Sequence, residues 1–108
     1  CFNETGYLLD THTAIGYGVL KQYQQETGDH TKTVLLSTAS PYKFPESVYQ
    51  AIYGEELDVY TAIDKLSEKT GVPVPQALAG IKEREVLHKE AIDKTEIISF
   101  IKSEIEAM

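Results

Sequence analysis

The sequence predicts a helix-rich α/β fold with two or three short strands, within one modest domain. Three observations lead there. Apolar residues recur at helical spacing in several segments that close on glycine or proline. The run Thr33-Val34-Leu35-Leu36-Ser37 is β-branched and apolar and is bounded by polar turns, which is the pattern of a short buried strand. A length of 108 residues leaves room for one domain with a thin core.

In chain order, the opening CFNETG reads as the last turn of a helix closed by Gly6, because glycine supplies the left-handed conformation that ends such turns. Tyr7-Leu8-Leu9 is a short extended stretch. Asp10 or Thr11 then caps a helix to about Thr27, with Ile15, Val19, Leu20 and Tyr23 apolar and Gly28 as the stop. Gly16 and Gly18 lie inside it, each costing about 1 kcal/mol relative to alanine, which close approach of another backbone would offset. After the 33–37 strand, Pro41 breaks the chain and Pro45 begins a helix of roughly 45–53 that buries Val48, Ala51 and Ile52 before Gly54. Asp58 to Thr70 is a further helix carrying Val59, Ile63 and Leu66, stopped by Gly71 and Pro73. Val72 to Pro75 is an extended linker. A short helix from about Gln76 to Glu83 and a strand at Val86-Leu87-His88 follow. Asp93 and Glu96 form a capping pair for a last amphipathic helix whose Ile97, Ile98, Ile101 and Ile105 make one stripe.

Charge narrows the partners. Seventeen acidic against ten basic residues give a net charge of −7, which disfavours nucleic acid and anionic membrane surfaces. Residues 1–54 carry five acids and three bases, residues 55–108 twelve and seven, so two regions of different character are expected. The single cysteine forms no internal disulfide, and no apolar run is long enough to span a membrane, so the chain reads as cytoplasmic. No metal site is expected, because no paired cysteines or histidines four apart occur.

Ser37-Thr38-Ala39-Ser40-Pro41 places three hydroxyls and small residues directly after the expected strand, where open α/β sheets place their ligands. Backbone N–H groups and hydroxyls at such a turn suit a phosphate or a ring nitrogen, and Lys43 adds charge nearby. An ordinary serine-rich turn has the same composition. Asp10 and His12 open a helix, so His12 is a candidate acid–base or anchoring group, although a plain N-cap accounts for Asp10.

LLDTHTAIGYGV, Leu8 to Val19, and LLSTASPYKFPESV, Leu35 to Val48, together resemble the C-terminal region of threonine synthase. That family shows an acid-Pro-His opening to a helix and, about two dozen residues later, a Thr-Ala-x-Pro-x-Lys-Phe segment. Both are present in order, with Thr11 in place of the family's proline, a change that frees the turn but removes no chemical group. The similarity extends through GEELD to the final helix. It implies a C-terminal piece of a tryptophan-synthase-β-like fold, with residues 1–54 from the catalytic domain that binds pyridoxal phosphate and residues 55–108 as its helical tail. It implies a carbon–oxygen lyase acting on phosphates, converting O-phosphohomoserine and water to threonine and phosphate. Thr38 matches the position whose hydroxyl contacts the pyridine nitrogen, with Ser37 as second choice, while Asp10, His12 and Lys43 line the cleft. The family's cofactor-bonding lysine and glycine-rich phosphate loop have no match here. The chain alone is therefore expected to be inactive, to bind no cofactor and to need the missing N-terminal part. The competing reading is a free-standing acidic module that binds a protein or senses a small anion; upstream coding sequence distinguishes the two.

Overall fold

Every regular element of the computed structural model, which describes residues 1–108, is helical. They are α1 (Phe2–Thr5), α2 (Thr11–Thr27), α3 (Pro45–Tyr53), α4 (Val59–Thr70) and α5 (Ile97–Glu106), with single 3-10 turns at Pro41–Lys43, Ile81–Glu83 and Lys94–Glu96. The helix boundaries follow the capping residues. Asp10 caps α2 and Asp58 caps α4, while Gly6, Gly28, Gly54 and Gly71 close α1 to α4 in the left-handed conformation.

The expected α/β class is corrected to all-helical. Tyr7–Leu9, Thr33–Ser37 and Val86–His88 form no strand. A strand is a property of a pair of segments, and none of these three makes a backbone–backbone hydrogen bond to a neighbour. Their apolar, β-branched composition is compatible with a ladder but cannot supply its second strand. The helix expected over 76–83 is likewise reduced to turns and the 3-10 turn Ile81–Glu83. Gly80 takes φ 65°, which breaks the α-helical course, and the Arg84 guanidinium ties the turn to the Ala79 carbonyl at 3.1 Å.

The core is small and lies in the middle of the chain. Helices α3 and α4 pack as a hairpin, burying Val48, Tyr49, Ala62, Ile63 and Leu66 together with Leu8 and Tyr42, while Ala51 and Ile52, expected to be buried, are exposed. The apolar residues of α4 recur on one face, so a single helix can present them all to α3. Tyr42 is fixed from both sides of the chain. Its hydroxyl donates to the Val72 carbonyl at 2.5 Å, and the Ser67 hydroxyl donates to the same oxygen at 3.0 Å. This anchors the Pro41–Lys43 turn to the segment after α4, so the candidate residues just before and within that turn hang from the core.

Little else is covered. The radius of gyration is 19.3 Å, against about 13 Å for a compact domain of this length, and the extents are 60 × 32 × 23 Å. Helix α2 exposes Ile15, Val19 and Tyr23, and α5 exposes Ile97, Ile98, Ile101 and Ile105.

Candidate functional site

Asp10 is the best-determined candidate. Its carboxylate, 3% exposed, accepts hydrogen bonds from the His12 amide at 3.0 Å, the Thr13 amide at 3.2 Å and the Thr13 hydroxyl. The Thr13 hydroxyl bond is the main cause that holds the carboxyl below its ordinary range; burial opposes it, and the two amides and the His12 ring reinforce it. All of the carboxylate's reach is thus spent on opening α2. It orients rather than reacts.

That cap throws the next side chain outward. The His12 ring is 80% exposed, with Nδ1 3.8 Å from the Asp10 carboxylate and 3.4 Å from the Thr11 hydroxyl. Its ring centroid lies 6.3 Å from that of Phe44, at an interplanar angle of 45°. Lys43 places its Nζ 5.4 Å from the centroid of the same Phe44 ring. Of the sequence candidates, Asp10 and His12 are therefore adjacent, and His12 and Lys43 each approach the Phe44 ring.

Neither Ser37 nor Thr38 makes a side-chain hydrogen bond to Asp10, His12 or Lys43. Ser37 borders an open hollow of about 440 Å3 together with Tyr7, Thr13, Tyr17, Leu35 and Leu36. Thr38, the next residue, is exposed and is not among those lining the hollow, and the Ser40 hydroxyl accepts from the Tyr42 amide at 3.2 Å, capping the 3-10 turn that carries Lys43. Thr13 links the two parts, since it bonds Asp10 and lines the hollow beside Ser37.

Sequence reasoning missed Thr13 and Phe44. The first had a legible signal, a hydroxyl three residues after an N-cap aspartate, the spacing at which a side chain on the first turn can reach back to the cap. Phe44 had none beyond its place next to Lys43, because ring contacts between residues 12 and 44 depend on how the chain returns to α2.

Residues 13–101 match the family model described as "Threonine synthase, C-terminal". Searches of curated proteins and of solved structures give no match.

Proposed function

The chain belongs to the threonine synthase C-terminal family, and from that premise we propose that it is the C-terminal part of an enzyme that converts O-phosphohomoserine and water to threonine and inorganic phosphate. This is a cytoplasmic carbon–oxygen lyase using pyridoxal phosphate. The family match over residues 13–101 carries the reading. Residues 1–54 contribute one wall of the catalytic domain and residues 55–108 a helical tail, joined through the packing of α3 on α4.

The donor set fits one edge of the cofactor. Thr38 and Ser37 are exposed and carry neutral hydroxyls, and a hydroxyl at a pyridine nitrogen leaves the ring largely uncharged, where a carboxylate would hold a proton on it. When bound, pyridoxal phosphate supplies the electron sink for elimination and replacement chemistry. Thr38 would hold the ring nitrogen through its Oγ1 hydroxyl, with Ser37 as the second donor. His12 and Lys43 line the cleft and face the substrate. Asp10 holds the start of α2 in place through its three hydrogen bonds, so the His12 position is set before any ligand arrives.

The large exposed apolar faces of α2 and α5 support a parent chain that covers them. The test is phosphate release from O-phosphohomoserine, measured for the full reading frame that contains this chain and for the chain alone. The full enzyme is expected to turn over and the isolated chain to release nothing. In the full enzyme, Thr38→Val keeps the side-chain shape, removes the hydroxyl, shifts the cofactor absorbance band and lowers turnover. An unchanged spectrum and rate in that variant would remove Thr38 from the ring nitrogen, and phosphate release by the isolated chain would overturn the reading of a partial site.

A further inference from the structure

The turn from α3 into α4 borders an open hollow of about 220 Å3 lined by Tyr49, Glu55, Leu57, Lys65 and Lys69. None of these belongs to the candidate site described above. A buried tyrosine normally finds a partner for its hydroxyl, and the two tyrosines of this core differ in that respect. Tyr42 donates to the Val72 carbonyl, whereas the Tyr49 hydroxyl makes no hydrogen bond within the chain, although Tyr49 is only 1% exposed. That oxygen is not sealed in, since the one buried side-chain oxygen without a partner is Oε2 of Glu46. What little of Tyr49 is open therefore includes its hydroxyl, at the hollow that it lines.

Two opposite charges line the same hollow without meeting. Lys69 is held by rings, its Nζ 4.7 Å from the Tyr53 centroid and 5.7 Å from that of Tyr49, which restrains the ammonium and leaves its charge unpaired. Glu55 forms no ion pair either, since the two ion pairs of the chain join His12 to Asp10 and Lys65 to Glu68. The other charged groups of residues 55–69 are committed elsewhere. Lys65 bonds Glu68 at 3.0 Å, and that bond is the main cause that holds its ammonium above the ordinary range, with burial opposing and Tyr49 and Glu55 adding to it. Glu56 accepts from the Gln50 side-chain amide at 2.9 Å, Asp58 caps α4, and Asp64 borders a different hollow.

We propose that this hollow binds a free α-amino acid with a short side chain. The ligand's carboxylate takes the Lys69 ammonium and the Tyr49 hydroxyl, its ammonium takes the Glu55 carboxylate, and Leu57 meets its side chain. A simple anion would have Glu55 facing it and a simple cation Lys69, so a molecule that carries both charges suits both walls. The inference does not rest on the threonine synthase reading, because it needs only α3, α4 and the turn between them.

The probe is L-alanine, followed through the Tyr49 ring and Lys69 side-chain NMR signals of the 108-residue chain. It is expected to shift both signals saturably and to leave Tyr42 and Lys43 unmoved. N-acetyl-L-alanine keeps the carboxylate and loses the ammonium, and L-alaninol does the reverse, so each should bind about threefold to fivefold more weakly. Two variants then separate the ends of the ligand. Lys69→Gln should weaken L-alanine by the same factor and leave L-alaninol unchanged, while Glu55→Gln should weaken L-alanine and leave N-acetyl-L-alanine unchanged. Both side chains are exposed, so neither variant disturbs the core. Tyr49→Phe keeps the ring, removes the hydroxyl and should weaken L-alanine about twofold to tenfold. Should Tyr49→Phe loosen the core, the two exposed variants still decide the matter. L-Alanine that leaves the Tyr49 and Lys69 signals unmoved overturns the proposal. So does N-acetyl-L-alanine that binds as tightly as L-alanine, which would make the hollow a plain anion site, and so does an affinity for L-alanine unchanged in both Lys69→Gln and Glu55→Gln. None of these outcomes bears on turnover of O-phosphohomoserine, so the functional reading stands or falls separately.

Discussion

Helix α2 opens on Asp10 with Thr13 three residues later and closes on Gly28; helix α4 opens on Asp58 with Thr61 three residues later and closes on Gly71. The caps agree in detail. Asp10 accepts from the His12 and Thr13 amides at 3.0 and 3.2 Å, and Asp58 from the Tyr60 and Thr61 amides at 3.1 and 3.2 Å, each with the threonine hydroxyl as an added donor. Yet α4 buries Ala62, Ile63 and Leu66, whereas α2 buries only Thr13 and leaves Ile15 68% exposed. Local hydrogen bonding therefore starts and stops a helix without deciding what it packs on. Burial comes from a partner, and α3 provides one for α4 alone.

The widest separation between the two helices should come from truncating their apolar faces. Leu66→Ala, at a fully buried position, should cost about 2–5 kcal/mol in urea denaturation. Ile15→Ala should stay within about 0.5 kcal/mol in the same measurement. Comparable losses would mean that α2 is packed against something in solution. A smaller effect tests how the candidate turn is tied to the α4 side. Tyr42→Phe removes the hydroxyl that donates to Val72, and since Ser67 still donates to that oxygen, a loss of about 0.5–1.5 kcal/mol is expected.

The glycines of α2 sharpen the contrast further. A Cβ on Gly18 meets nothing within 4 Å, so Gly18→Ala should stabilise α2 by about 0.5–1 kcal/mol and raise the helical circular dichroism signal. At Gly16 the added atom lies 3.2 Å from the Leu35 side chain, so the gain there should be smaller. An equal or larger gain for Gly16→Ala would place Leu35 elsewhere. The close approach expected from the sequence is thus a side chain at one glycine and open space at the other.

The smallest effect is the acid limb. Both Asp10 and Asp58 are held below their ordinary value of 3.8, chiefly by the Thr13 and Thr61 hydroxyls respectively. A lowered folded pKa means that the cap's contribution is fully present above the ordinary value and is lost as pH falls through the lowered one. Amide exchange across this window should release α2 before α4, because α4 keeps its buried face after its cap is protonated. Thr13→Val and Thr61→Val should move the onset to higher pH in their own helix only.

How far the chain could be read from its letters follows the same division. The bounds of α2 and the cap of α4 were legible because aspartate at the start and glycine at the end satisfy the orphan backbone groups within one turn of the helix. The run Thr33–Ser37 was misread because its composition suits a strand whose partner lies outside the run. At the candidate site, the separate residues Asp10, His12 and Lys43 could be picked out by chemical type, and the family resemblance held over residues 13–101. The Phe44 ring beside His12 could not.

The sequence by itself determined where α2, α3 and α4 begin and end, because those signals act between residues a few positions apart. Only the tertiary structure decided that α3 and α4 hold the core, that α2 and α5 leave their apolar faces open, and that the His12 ring lies beside Phe44. Those outcomes depend on surfaces brought together from distant parts of the chain, and the free energy that selects them, area removed from water, is a property of the pair and not of either member.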